Sequence, residues 1–311
     1  MNRVGLSIVI PAHNVQETIE HTIHSALSSS HRPLEVIVVN DGSSDQTAAR
    51  VALVHDPRVS VVTRAHAGGP AVARNEGADH AQGEFVTFLD GDDLIVPGTL
   101  DRLIDAFSPR DVVSMGKFIA VNEHDLALDI GTWSTFQLQP MVRRGRRWEP
   151  CALNSESILS RLVTPPPGAI VLRREVVRAV GGYRCDIARS EDLEFLVRVL
   201  GQGSAVLVDE NVLRYRRTPS QRSQATRQRR WGRFRTLMVI MESSPSPHEL
   251  LARGRGIVSH HRERAQLSRQ TRQWWPTLRS LGAVFFFWIW LVVCSPRVLA
   301  RAVGNLRITR S

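Results

Sequence analysis

Three carboxylates close the stretch EFVTFLDGDD, residues 84–93: Asp90, Asp92 and Asp93 follow directly on an apolar run. Carboxylates this close raise one another's pKa unless a cation lies among them. The run therefore ends either in an acidic, solvated turn or at a site for a hard divalent cation, which takes oxygen ligands. An EF-hand calcium loop is excluded. Its sixth position, counted from Asp90, is Ile95 rather than Gly, and its twelfth is Asp101 rather than Glu. Further groups capable of chemistry are Asn14 in PAHN, Asp41 in VVNDGSS, Arg74 in ARNEG and the adjacent pair Glu191 and Asp192 in SEDLEF. Each also has a plain structural reading. Asp41 could close an Asx-turn, Arg74 could be a surface helical cation, and Glu191 and Asp192 could simply favour the dipole of a helix start.

The elements around these groups alternate. LSIVI (6–10), LEVIVV (34–39), RVSVVT (58–63) and EFVTFL (84–89) read as strands. Between them, about 16–29, SSDQTAARVALV and GGPAVARNEGADHA read as helices, the first with Ile19, Ile23 and Leu27 spaced by four. Continuous apolar strands alternating with helices predict βαβ units and a mostly parallel sheet covered on both faces. Ligands of such sheets bind beyond the carboxyl ends of the strands, which is where Asn14, Asp41 and Asp90 to Asp93 fall. Farther on, DVVSMGKFIAV and GAIVL read as strands and TPPPG (164–168) as a stiff loop. SEDLEFLVRVLG reads as a helix capped by Ser190 and stopped at Gly201 or Gly203.

The chain has 311 residues, 42% of them hydrophobic and 23% charged, with a net charge of +10. That is enough length for one large domain with an appendage. The charge is unevenly placed. Residues 1–211 hold 20 Lys and Arg against 27 Asp and Glu, a net −7, whereas 212–311 hold 20 Arg against Glu242, Glu249 and Glu263, a net +17. A basic tail of this kind suits a polyanion, either nucleic acid or an anionic membrane. Cys151, Cys185 and Cys294 form no metal-ligand spacing and are expected to be reduced thiols in a cytosolic setting. No basic-then-apolar start marks a secretory signal.

Taken together, SIVIPAHN, EVIVVNDGSSDQT, GGPAVARNEGADHAQGEFVTFLDGDD and GGYRCDIARSEDLEFLVRVL resemble, in order and spacing, a family-2 glycosyltransferase. The resemblance covers about residues 5–220. It implies a GT-A fold, an α/β architecture with a Rossmann-like, mostly parallel sheet, here followed by a C-terminal helical, membrane-associating extension. The expected division is a catalytic domain over 1–220, a basic helical extension over 221–270 and a hydrophobic tail over 271–311. The implied reaction is inverting transfer of one sugar from a nucleoside-diphosphate sugar, usually a UDP-sugar, to a hydroxyl acceptor, with Mn²⁺ or Mg²⁺ as cofactor. By the same resemblance Asp92 is the direct metal ligand, Asp90 lies near ribose and metal, and Asp93 supports them. Asp41 accepts a hydrogen bond from the base. Pro11 and Asn14 form the first nucleotide loop, with His13 where the family commonly has Tyr. Arg74 supplies a cation suited to the phosphates, Asp192 is the general base, and Glu191 orients it.

Two departures matter. Where the family often has a metal-ligating His, this chain has Thr218, so the metal has fewer protein ligands or Arg216 stabilises the leaving diphosphate. QRRW (228–231) is one residue short of the processive signature, which favours single transfer. A nucleotidyltransferase is the main competing reading, but PAHNVQET lacks the Gly-rich loop such enzymes carry. A nucleic-acid-binding protein using the basic tail, with Trp231 and Phe234 stacking on bases, would leave the acidic motifs unexplained. No nucleic-acid partner is expected. Lastly, residues 280–296 are 17 uncharged residues, flanked by Arg272, Arg279, Arg297 and Arg301, with Trp274, Trp275, Trp288 and Trp290 nearby. A span needs about 20 apolar residues, with a lower limit near ~17. The expected location is the cytoplasmic face of the cell membrane, close to a lipid-linked or glycan acceptor.

Overall fold

The computed structural model describes residues 5–122, 124–128, 164–187, 190–217 and 239–240, and the backbone of 141–144 and 147–150. The expected segments 221–270 and 271–311 thus lie almost wholly outside the described residues, as do Thr218, Cys151 and Cys294. Cys185 carries a free, exposed thiol.

The strands are β1 (Leu6–Ala12), β2 (Leu34–Asp41), β3 (Val59–Arg64), β4 (Phe85–Phe88), β5 (Leu94–Ile95), β6 (Asp111–Val121), β7 (Met141–Arg144), β8 (Arg147–Pro150), β9 (Ile170–Arg173) and β10 (Ser204–Arg216). The helices are α1 (Ile19–Leu27), α2 (Thr47–Ala52), α3 (Pro70–His80), α4 (Thr99–Asp105), α5 (Arg174–Ala179) and α6 (Glu191–Leu200). Eight strands form one sheet in the order β3-β2-β1-β4-β9-β6-β10-β5, and β7 and β8 form a separate hairpin. Strands β3, β2, β1 and β4 are mutually parallel. β6 and β10 are parallel to each other, while β9 and β5 run antiparallel to their neighbours. The sheet is therefore mixed, though mostly parallel.

The expected parallel half forms because its strands are apolar at consecutive positions. Along β1 and β2 nearly every residue is buried, since helices cover both faces. β3, at the edge, has no buried residue and mixes half-buried with exposed positions instead. The sequence reading did not identify β10, which is long, irregularly paired with β6 and only intermittently buried. Nor did it foresee that the strand in GAIVL would run antiparallel between β4 and β6.

Helix α6 departs from expectation at its start. Ser190 precedes it with φ of 59° and makes no capping bond from its side chain. An N-cap needs extended backbone geometry to turn its oxygen onto the first amides, and the left-handed conformation does not provide it. The helix is fixed from the other side. Arg198 donates to both carboxylate oxygens of the buried Glu194 at 2.7 Å, and also to the carbonyl of Gly182 at 2.7 Å. Tyr183, which follows, stacks on Phe195 with ring centres 4.0 Å apart.

Helix α3 lies close on β1 and β2 because it carries Gly77. A Cβ there would stand 2.3 Å from Cγ1 of Val9 and 3.1 Å from Cγ2 of Val39. An exposed helical Gly→Ala change stabilises by about 1 kcal/mol, but here overpacking opposes it at a cost of about 1–3 kcal/mol. Gly77→Ala is therefore expected to be net destabilising, with a lowered urea midpoint. A raised midpoint would show that α3 can lift off the sheet without cost.

Candidate active site

The DGDD turn is held from three directions. Its own backbone closes it, with the Asp93 amide donating to the Asp90 carbonyl at 3.0 Å. On α1, and just ahead of it, Thr22 and Thr18 donate to the Gly91 carbonyl at 3.1 and 2.7 Å. Thr22 also reaches the Asp93 carbonyl at 3.0 Å. From the end of β10, the Arg216 amide donates to Asp93 Oδ1 at 2.8 Å, and the Arg216 guanidinium donates to the Asp92 carbonyl at 3.2 Å. Arg216 thus stands beside the acidic turn, with a further contact to Asp125 at 3.3 Å.

The three carboxylates are not equivalent. Asp93 is fully buried, and its Oδ2 has no hydrogen-bond partner among the described residues. Burial first, and then the charges of Asp92 and Asp90, push it well above the usual carboxylate range. Asp90 and Asp92 are only partly buried. Among the described residues, no group of three or more His, Cys, Asp or Glu is arranged to hold a metal. Two carboxylates are nevertheless enough for a hard cation that completes its shell with water and substrate phosphates. Two accessible carboxylates beside a third that carries an unsatisfied oxygen fit such an ion.

Asp41, at the end of β2, is 3% exposed. Its carboxylate accepts from the amides of Gly68 and Gly69 at 2.9 and 2.8 Å and from Arg64 Nε at 2.9 Å. Arg64 also pairs with Glu76 on α3. Asp41 therefore shapes the loop that opens α3, whatever else it binds. His13 lies against it, with Nδ1 2.8 Å from the Asp41 carbonyl oxygen. Asn14, with φ of 54°, accepts from the Ser44 amide at 2.9 Å, and its own amide donates to Ser43 at 3.2 Å. Together with Thr47, Asp45 and Gln16, these bonds zip the loop after β1 to the loop after β2. Pro11, partly buried in β1, sits one residue from its end.

Arg74, expected as a cation suited to the phosphates, is paired with carboxylates in this structure. Its side chain is 5% exposed. Nη2 donates to Asp90 at 2.7 Å, and Nη1 donates to Glu191 at 3.2 Å. Burial disfavours its charge, but the carboxylates of Asp90 and Glu191 more than offset this and hold it above its ordinary range. Glu191 is pushed up by burial and by Asp192, against the opposing pull of Arg74. Asp192 is held by Thr164, whose hydroxyl donates to Oδ2 at 2.8 Å, and by the Leu193 amide on Oδ1 at 2.8 Å. The chain thus brings Asp90, Arg74, Glu191 and Asp192 together at the carboxyl edge of the sheet.

Sequence reasoning missed three supports. Thr164 belongs to what read only as a stiff loop. Asn75, next to Arg74, holds the Tyr183 backbone in both directions: it accepts from the amide at 2.7 Å and donates to the carbonyl at 2.8 Å. The preceding Gly182 has φ of 68°, and a Cβ on it would meet Asn75 Oδ1 at 2.4 Å. Tyr183 itself lies under Arg74, whose Cζ is 5.2 Å from the ring centre. The signal was adjacency, since ARN and GGY were both in the quoted motifs.

Removing one member of a buried ion network costs about 3–5 kcal/mol, and Arg74→Met is expected to fall near the lower figure because Asp90 is partly solvated. The sign with pH follows from Glu191, whose folded pKa is raised. Such a group penalises the native state above its folded pKa, and the penalty disappears as pH falls below the unfolded value. Without Arg74 the rise is larger, so the loss should be greater at pH 8 than at pH 4. Urea unfolding at both pH values checks this, and an equal loss at both would separate Glu191 from Arg74.

Comparison with known proteins bears on the family and the fold. The model of glycosyl transferase family 2 matches residues 7–181, more than half of the chain. The glucosyltransferase WfgD of Escherichia coli, named as UDP-Glc:alpha-D-GlcNAc-diphosphoundecaprenol beta-1,3-glucosyltransferase, is 32% identical over 122 residues, which are 39% of this chain and 48% of that protein. The succinoglycan biosynthesis protein ExoO of Rhizobium meliloti is 40% identical over 100 residues, 32% of this chain and 29% of that protein. The matches thus span less than half the length of these curated relatives. Among solved structures, S. aureus TarS 1-349 in complex with UDP-GlcNAc superposes with a TM-score of 0.65 at 19% identity, covering 98% of this chain and 85% of that one. The mannosyltransferase PcManGT of Pyrobaculum calidifontis, in complex with GDP-Man and Mn²⁺, gives 0.60 at 18%, covering 99% and 88%. These likenesses show the fold, a GT-A-like sheet flanked by helices. With the family model matched over β1 to the turn after α5, the chain belongs to glycosyl transferase family 2.

Proposed function

We propose that the protein transfers a single sugar from a nucleoside-diphosphate sugar, a UDP-sugar, to a hydroxyl acceptor with inversion, in the synthesis of a cell-envelope polysaccharide. The observation that carries this is the convergence of the DGDD turn and the Glu191–Asp192 helix start on one buried guanidinium, Arg74. It sets an acidic, cation-suited group beside a candidate base. Family membership supports the reaction class. The named acceptor of WfgD, a lipid-linked diphosphate sugar, supports a lipid-linked acceptor here.

Asp92 and Asp90 would hold the divalent cation, which supplies positive charge where the leaving diphosphate gathers negative charge. The Asp41 loop and the Asn14 loop form the wall against which the nucleoside lies. Asp192 takes the proton of the acceptor hydroxyl as that oxygen attacks the anomeric carbon and the bond to the diphosphate breaks. Direct displacement in one step inverts the anomeric centre. Asp192 suits the base role better than Glu191. Its carboxylate is held by a hydroxyl and a backbone amide, whereas Glu191 is committed to Arg74. Glu191 fixes the start of α6 and thereby the aim of Asp192.

The basic and apolar tail (271–311) is assigned to the cytoplasmic face of the membrane. Basic residues beside an anionic leaflet contribute about 1 kcal/mol each, and anchoring raises the effective concentration of a lipid-linked acceptor.

The catalytic reading is tested by two substitutions assayed on UDP-sugars with Mn²⁺. Asp92→Asn should keep the fold and lose nearly all turnover. Asp192→Asn should lower kcat about 10²–10⁴-fold, the usual contribution of a general base, with donor affinity unchanged in calorimetry. Full activity in excess chelator, or a binding loss without a kcat loss at Asp192, would overturn the assignment. For the tail, deletion of residues 272–311 should move the protein from the membrane pellet to the soluble fraction. An unchanged partition would refute the anchor.

A further inference from the structure

Tyr183 is a buried phenol at the centre of the site that no step above uses. It is 4% exposed. Its ring is fixed on every side the structure describes: stacked on Phe195 at 4.0 Å, edge-on to Phe88 at 5.1 Å and beneath the Arg74 guanidinium at 5.2 Å. Its backbone is gripped in both directions by Asn75. The ring therefore has no freedom to swing its hydroxyl toward another partner. Yet the bonds Tyr183 makes are all through its backbone or its ring, and the hydroxyl makes none among the described residues. The hydroxyl of so enclosed a Tyr ordinarily finds a partner.

The polar character of the wall indicates what that partner would be. Asp90, Glu191 and Asp192 are acceptors when ionised. The one described cation among them, Arg74, has both terminal nitrogens bonded to two of these carboxylates. The wall is thus rich in acceptors, and the Arg74 donor left without a partner, Nε, is itself buried. A sugar hydroxyl presents both a proton and lone pairs. Carboxylates can take the proton, but only a donor can satisfy the lone pairs. The adjoining cavity, lined by Phe88, Thr164, Tyr183, Asp192 and Phe195 among others, has a volume of about 10 Å³, far too small for a sugar ring. A sugar that met the phenol would do so from the open side of the site.

We propose that the Tyr183 hydroxyl donates a hydrogen bond to a hydroxyl of the transferred sugar and so helps to select which sugar is carried. This rests on the glycosyl-transfer reading of the same site. Burial, opposed by Arg74 but reinforced by Asp192, Asp90 and Glu191, raises the phenol above its ordinary range, so the group stays a neutral donor throughout the working pH range. Two carboxylates ordering one hydroxyl and a phenol satisfying its oxygen would discriminate epimers, because moving the hydroxyl leaves the phenol unpaired again.

The test is Tyr183→Phe, which removes the oxygen and keeps the ring. The full-length protein with Mn²⁺ is assayed against UDP-glucose, UDP-galactose, UDP-N-acetylglucosamine and GDP-mannose by release of the nucleoside diphosphate. UDP affinity and the melting temperature are measured in parallel. The expected result is a loss of about 3–10-fold in kcat/KM on the preferred sugar nucleotide, the usual worth of one uncharged hydrogen bond. Preference among the sugars should narrow, while UDP affinity and melting temperature hold. Fluorine NMR gives a second readout. The chain has only two tyrosines, so in fluorotyrosine-labelled protein the Tyr183 resonance, assigned by its absence from Tyr183→Phe, should move with the sugar nucleotide more than with UDP. Unchanged kcat/KM and sugar preference would overturn the proposal while leaving the transfer reading intact. An equal loss of UDP affinity, or a lowered melting temperature with no change in preference, would also overturn it by assigning the hydroxyl to the nucleotide or to the fold. If the wild type turns over none of the four, the transfer reading fails first and the sugar contact fails with it.

Discussion

Burying the guanidinium of Arg74 is the constraint on which the rest of the site depends. An isolated cation moved out of water loses several kcal/mol of hydration, and only well-placed carboxylates can offset that. Here the two carboxylates come from parts of the chain far apart, Asp90 after β4 and Glu191 at the start of α6. Neither pairing can relax without exposing the other, so the turn after β4 and the start of α6 are held at one separation. The neighbouring Asn75 repeats the arrangement in neutral form, since the same helix turn grips the Tyr183 backbone. α3 therefore acts as a ruler between the two halves, and Gly77 sets how closely that ruler lies on β1.

This arrangement explains why carboxylates at the edge behave so differently. Asp93 faces inward onto the β10 amide and serves the turn. Asp90 is shared between solvent and Arg74. Asp41 spends its acceptors on the Gly68–Gly69 amides and on Arg64, which makes the loop before α3 a rigid wall. A polar cluster of this kind is stable only when nearly every member is paired, and among the buried atoms left over Asp93 Oδ2 and Arg74 Nε fall in the site itself.

Much of this was legible in the chain. The strands of the parallel half announce themselves as continuous apolar runs, and the polar groups at their ends could be placed together by the geometry of βαβ units alone. β10 was not legible, because its exposed and buried residues follow no clean period and its pairing with β6 shifts register. Ser190 read as a cap because its residue type fits one; only the backbone angle reveals otherwise. Arg74 read as a donor-site cation through its motif, and its carboxylate partners were not legible. Its partners come from 16 and 117 residues away, and no local pattern encodes a contact across that distance. Tyr183 was invisible for a similar reason, since an aromatic after two glycines gives no sign that its hydroxyl will lack a partner.

The antiparallel strand β9 has a consequence for how the protein is made. It fills the edge of β4 through Phe85 opposite Arg173 and Val86 opposite Leu172. By the time β4 emerges from the ribosome, β1, β2, β3 and their helices are all present, and the connections among them are short. This half can assemble at once, but with the inner edge of β4 bare. Some eighty residues must follow before β9 appears, roughly 5–15 s of translation at ~5–20 residues per second. During that interval an apolar strand with unpaired amides and carbonyls stands open, the form most prone to pairing with a second nascent chain. The order of the strands thus sets an interval of exposure whose length depends on how fast residues 89–170 are translated.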